Sequence, residues 1–146
     1  MTYIHRARTE DLERIAEIEV FNYRLYFYPI FHTDDFFFDG LRVSERIRHY
    51  EGELPHLWVY DDGVIKGFFH LAWREVRKLF VEPAFHSAGI GGALLDYAVT
   101  QLEANELWAL EKNRRAIAFY ARHGFEPTGE KRLEEGTKEY LIRLAR

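Results

Sequence analysis

Hydrophobic and polar positions along the 146-residue chain change period repeatedly, and each change predicts an element. Tyr3 to Arg8 alternates and reads as a first strand. Thr9 fits a helix N-cap, with Glu10, Asp11 and Glu13 placing negative charge in the first turn. Leu12, Ile15, Ala16, Ile18, Glu19 and Phe21 follow at helical spacing, which predicts a helix to about Tyr26, ended or bent by Pro29. A second helix is predicted between Asp34 and Tyr50, broken near Gly40. His56–Tyr60 and Val64–Ala72 form a hairpin around Asp62-Gly63, because Gly accepts positive φ. Glu75–Val81 reads as a further strand, bounded by Pro83. Positions 90, 94, 95, 98 and 102 mark one face of a helix from Gly89 to about Glu103. Leu107–Leu110 reads as a short buried strand. Asn113 caps a helix to His123, with Gly124 at its C-terminal stop. Phe125–Thr128 and Thr137–Leu144 complete the extended segments. Without a repeat or a linker, this order predicts one α/β (α+β) domain over residues 1–146 with a central sheet.

Composition narrows the class. A chain of this length buries enough surface to fold without disulfide or metal staples. It has no cysteine, which removes thiol nucleophiles and Cys-ligated metal sites and fits a cytoplasmic location. The first residues lack an apolar signal core, and no apolar run reaches membrane-spanning length. With a net charge of −4 and no basic run, nucleic acid is not an expected partner. The seven histidines are scattered and no H-E-x-x-H motif occurs, so no metal is expected. Nine of the 24 aromatics crowd between Phe21 and Phe38, beside Asp34, Asp35 and Asp39. They read either as core packing or as an aromatic pocket with acidic groups at its mouth. The charge is also split: residues 1–73 carry −5 and residues 74–146 carry +1.

The densest chemical signal is His86-Ser87-Ala88-Gly89-Ile90-Gly91-Gly92, between a predicted strand and helix. Glycines there free backbone N–H groups at a helix start, which suits an anion, although a tight turn alone also favours glycine. A dinucleotide fingerprint would need Gly where Leu94 stands, and the Gly-Lys-Ser/Thr of a P-loop is absent. The wider stretch Glu75–Leu95, with V-E-P before the glycines, resembles the signature region of the GNAT superfamily of acyl-CoA-dependent N-acetyltransferases. A second segment agrees: Leu107–Phe125 is similar to the family's strand, N-x-x-A-x-x-F-Y and G-F. The resemblance spans nearly the whole chain and is weakest between Pro29 and Pro55. His86 departs from the usual Arg or Gln, and Ser87 from a frequent Gly.

The resemblance implies a mixed, mostly antiparallel sheet of six to seven strands flanked by about four helices, splayed between two central parallel strands. It implies acetyl-CoA as co-substrate. Leu79, Phe80 and Val81 would offer backbone groups to the pantetheine arm, the Val81 amide polarising the thioester carbonyl. His86, Ser87, Ala88, Gly89, Ile90, Gly91 and Gly92 would hold the pyrophosphate, with Asn113, Ala116 and Tyr120 flanking the cofactor. Tyr120 matches the general acid for the leaving thiolate, and Glu75 matches a catalytic glutamate of some members. A water chain is the alternative base, and His5, His70 and Glu82 are further candidates. The acceptor, a primary amine on a small molecule or peptide N-terminus, would meet Tyr28, Phe31, Phe36, Asp34 and Asp35 through cation–π and charge attraction. Without cysteine, transfer would pass directly from CoA to the amine in a ternary complex. A non-catalytic acyl-CoA sensor is the rival, and Tyr120 favours the enzyme. Monomer and homodimer are both compatible with this reading.

Overall fold

Residues 2–146 are described by the computed structural model. Seven strands form: β1 (Ile4–Arg6), β2 (Leu57–Asp61), β3 (Ile65–Ala72), β4 (Glu75–Val81), β5 (Glu106–Leu110), β6 (Glu126–Leu133) and β7 (Tyr140–Ala145). They make one sheet in the order β1-β2-β3-β4-β5-β7-β6. Every pairing is antiparallel except β4 with β5. This is the mixed, mostly antiparallel sheet of six to seven strands that the resemblance implies. The Asp62-Gly63 turn contains Gly63 at φ 112°, its amide held by Asp61 Oδ1 at 3.0 Å.

Five α-helices cover the sheet: α1 (Leu12–Asn22), α2 (Tyr28–Phe31), α3 (Val43–Tyr50), α4 (Ile90–Leu102) and α5 (Arg114–Arg122). On one face, Leu94, Leu95 and Ala98 of α4 pack against Phe69, Leu71, Val76 and Leu107. On the other, Leu12, Ile15 and Ile18 of α1 and Tyr50 of α3 pack against Leu57, Val59 and Phe68. Alternation along the strands feeds both layers, so the sheet is apolar on both sides.

The expected helix through Tyr26 widens instead. Tyr23–Phe27 and Phe36–Gly40 are π-helical turns, closed by bonds from Tyr28 N to Tyr23 O and from Leu41 N to Phe36 O. Each wider turn rotates the aromatics that follow it. Phe37 becomes core with Val20 and Leu41, and Tyr23, Phe27, Tyr28 and Phe31 pack around them. Phe21, Phe36 and Phe38 stay exposed. The crowded aromatic stretch is therefore partly a small core and partly surface. Among the described residues no helix is long and apolar enough to cross a membrane.

Candidate active site

β4 and β5 pair only at Glu75↔Glu106 and Val76↔Leu107. Beyond those two pairs the strands part, and a cleft of about 1670 Å³ opens between them, reaching α1 on one side and α5 on the other. A bulge precedes the opening: His70 faces Lys78 and Leu71 faces Val76, so Arg77 is the extra residue. Past the bulge, Glu82 N donates to Lys66 O at 2.8 Å, which fixes the antiparallel alternation. By that alternation the main chain of Phe80 is turned to β3, and the N–H and C=O of Leu79 and Val81 face the cleft. The Val81 carbonyl is already used, accepting from Asn22 Nδ2 at 2.9 Å and lying 2.8 Å from His86 Nε2. Leu79 N–H, Leu79 C=O and Val81 N–H remain for a guest in the opening.

The loop after β4 turns twice through left-handed backbone, at Ser87 (φ 66°) and Gly89 (φ 82°). The first helical bond runs from Ala93 N to Gly89 O, and no side chain caps α4. The N–H groups of Gly89, Ile90, Gly91 and Gly92 therefore find no acceptor among the described residues. A row of free donors at a helix start, at the mouth of the cleft, fits a pyrophosphate. Of the glycines, Gly89 supplies the positive φ. Gly91 and Gly92 lie against Phe119 and His123, where an added Cβ would sit at 3.4 Å in ordinary van der Waals contact.

Helix α5 closes the other wall. Asn113 caps it, its Oδ1 accepting from Ala116 N at 3.2 Å, and both residues line the cleft. Tyr120 lies two turns on and faces the cleft, half-buried against Phe119 and Phe125. Burial pushes its phenol up to about 12. Its proton is therefore held more firmly than that of a free tyrosine.

Glu75 also lines the cleft, at the closed end of the splay, with Arg77 Nε 3.8 Å from its carboxylate. Phe31 and Phe36 line it from the α1–α3 side. Tyr28, Asp34 and Asp35 are not among its lining residues, and Tyr28 donates to Asp34 Oδ1 at 2.5 Å outside it. Of the other acid–base candidates, His70 lines the cleft 3.6 Å from Glu53. Glu82 is bound by Arg14 at 2.9 Å, and His5 by Asp61 at 3.1 Å.

An ion cluster is set into this wall: Tyr23, Arg46, His49 and Lys78 line the cleft, and Glu19 lies beneath them. Glu19 is fully buried, bonded to Lys78 Nζ and 3.6 Å from Arg46. The Lys78 ammonium lies 5.7 Å from the Tyr23 ring centre and 5.4 Å from that of Tyr50. Burial, reinforced by Glu19, pushes both phenols well above their ordinary range. Burial also holds His49 below its usual value, helped by Arg46 and Lys78. Glu19 Oε2 and Tyr50 OH lack protein partners. The one signal of this cluster in the sequence is a glutamate in register with the apolar face of α1. Lys78, Arg46 and His49 carry no local mark, and neither do Tyr26 and Arg115, which meet at the loop.

Residues 53–127 match a family model described as an acetyltransferase (GNAT) domain. The chain is 28% identical to the peptidyl-lysine N-acetyltransferase YjaB of Salmonella typhimurium, over 97% of this chain and 95% of that one. The solution structure of apo YjaB from Escherichia coli superposes with a TM-score of 0.72 at 26% identity, covering 97% and 95% of the two chains. The PaiA N-acetyltransferase of Thermoplasma acidophilum, solved in complex with coenzyme A, shares the fold, with a TM-score of 0.70, 18% identity and 98% of each chain covered.

Proposed function

The chain belongs to the GNAT acetyltransferases and is an acyltransferase enzyme, and we propose that it moves an acetyl group from acetyl-CoA directly to a primary amine in a ternary complex. One observation carries the reading: the β4–β5 splay opens onto free α4 amides, with Tyr120 in the same opening. Acetyl-CoA would supply the activated thioester. The amides of Gly89 to Gly92 bind its pyrophosphate, with Ser87, Asn113 and Ala116 shaping the walls around it, whereas Ala88 does not line the cleft. Leu79 and Val81 engage the pantetheine arm as a neighbouring strand would. Phe80, whose main chain is turned to β3, supplies its ring to the acceptor-side wall instead.

The Val81 N–H polarises the acetyl carbonyl. The amine nitrogen attacks that carbon, the carbon–sulfur bond breaks, and an amide forms while the thiolate leaves. Tyr120 donates a hydrogen bond to the sulfur as its charge develops. With a phenol near 12 and a thiol of about 8.5, outright proton transfer is uphill by roughly three to four pK units, so Tyr120 keeps its proton and stabilises the departing thiolate by that hydrogen bond. Glu75, at the edge of the acceptor half, takes the attacking nitrogen's proton directly or through water.

The acceptor is an amine on a flexible arm. The cleft is open at its aromatic wall, where Phe36 and Trp73 are exposed, and this favours a peptide lysine or N-terminus over an enclosed metabolite. The peptidyl-lysine activity named for YjaB supports the same class. Asp34 and Asp35 act on the ammonium from outside the wall, by long-range attraction. The test is coenzyme A release across a panel of lysine peptides, free N-terminal peptides and small amines. Turnover confined to peptides supports the reading. Equal or better turnover of small polyamines would overturn the acceptor class, and silence across the panel would overturn transfer to amines.

A further inference from the structure

Two residues from elsewhere in the chain converge on His86, in the loop before α4. Tyr26 comes from the first π-helical turn and Arg115 from the first turn of α5. The Tyr26 and His86 rings stack at 5.4 Å, and Tyr26 OH lies 3.1 Å from His86 Nδ1. Arg115 Nη2 lies 3.2 Å from the same Nδ1, and its guanidinium sits 5.4 Å from the Tyr26 ring centre.

The protonation pattern follows from chemistry. The Val81 carbonyl, 2.8 Å from Nε2, can only accept, so Nε2 carries a hydrogen, and Arg115 Nη2 can only donate, so Nδ1 is the accepting nitrogen. Two donors, Tyr26 O–H and Arg115 N–H, therefore compete for one lone pair. Tyr26 alone can satisfy it. A guanidinium has five N–H donors, and no carboxylate lies within 4 Å of Arg115 among the described residues. Arg115 is thus a cation parked on an aromatic face, without an anionic partner. It lines the same cleft as the free amides of Gly89 to Gly92.

We propose that Arg115 supplies the guanidinium for the cofactor's pyrophosphate. His86 and Tyr26 are its positioning residues: Tyr26 offers the ring that carries the guanidinium, and His86 fixes the ring and the loop through Val81 O. With the pyrophosphate bound, Arg115 turns its free N–H groups to phosphate oxygens, and Nδ1 keeps the Tyr26 hydroxyl. A planar fork suits this task better than an ammonium would. This inference rests on the coenzyme A reading above.

The test is calorimetric binding of coenzyme A, 3′-dephospho-coenzyme A and pantetheine, without turnover. Arg115→Ala is expected to weaken both nucleotides by roughly ten- to a hundredfold, the size of a charge-assisted contact, and to leave pantetheine unchanged. Arg115→Lys should recover part of the loss. Arg114→Ala, the adjacent exposed cation, should stay within about twofold of the parent, and raising salt should narrow the gap between parent and Arg115→Ala. Coenzyme A binding by Arg115→Ala at the parent's affinity would overturn the inference. So would an equal loss in Arg114→Ala, or a loss with coenzyme A that vanishes with the dephospho form, which would move Arg115 to the 3′-phosphate. A parent protein that binds none of the three would sink the coenzyme A reading itself.

Discussion

The two walls of the cleft are built from different material. The α4–α5 wall offers main chain: free amides at the start of α4 and exposed edge groups on β4. The α1–α3 wall offers side chains: aromatics turned by two π-helical segments, with the Glu19–Lys78–Arg46 cluster set into it. Main chain can hold a constant partner with few demands on residue identity. Side chains must be chosen for each acceptor. On the proposed reading, the wall that would hold the cofactor is therefore regular, and the wall that would meet the amine is idiosyncratic.

The comparison breaks first at the ion cluster. Lys78→Met leaves Glu19 buried with only Arg46 near it, which should cost about 3–5 kcal/mol, a melting decrease of roughly 6–20 °C. Adding Glu19→Gln to that variant should restore much of the loss. A thermal melt of Lys78→Met within 2 °C of the parent, as a rough threshold, would show that this wall does not depend on the pair.

Next in size is Tyr120→Phe. Acetyl transfer should fall by about ten- to a thousandfold under conditions where chemistry limits turnover, with coenzyme A affinity nearly unchanged. An unaltered kcat would remove Tyr120 from the chemistry and leave it as packing against Phe119 and Phe125.

A milder effect separates lining from rim. Phe36→Ala should raise the KM for the amine by roughly three- to tenfold without changing coenzyme A binding. Asp34→Asn with Asp35→Asn should instead reduce the salt dependence of that KM. If Phe36→Ala weakened coenzyme A equally, the two walls would not be separable.

The smallest expected effect is on stability in mild acid. Burial lowers the His49 and His70 values in the folded chain, so below about 6.5 the unfolded chain binds more protons. Stability should therefore be complete above that pH and fall as pH drops through the folded values. Melting curves of His49→Gln between pH 7 and pH 5, roughly the window around a histidine's ordinary value, should show a shallower decline than the parent.

Legibility followed the same division. Gly89 at positive φ, Asn113 at its cap and the apolar face of α4 are local rules, and each stands in the sequence at a fixed spacing. The hairpin and the alternation of β3 and β4 are local as well. The aromatic stretch misleads because one added residue per turn, at Tyr23–Phe27 and Phe36–Gly40, redirects the side chains that follow. Helical periodicity cannot show in advance where a helix will widen.

By itself the sequence determined the order of the strands and most helices, the apolar face of α4, and the glycine turn that frees the α4 amides. Each depends on residues within one turn or one strand of each other. Only the tertiary structure decided that Lys78 would neutralise Glu19 from 59 residues away, and that Arg115 would reach His86 across 29. It also decided that Gly67 would lie against α4, where an added Cβ would come within 2.9 Å of Leu94 and 3.0 Å of the Phe80 carbonyl. Charges and close packing between distant segments acquire partners only when the sheet has brought α1, α4 and α5 together, because neither a lone pair nor a missing Cβ specifies in sequence what will meet it.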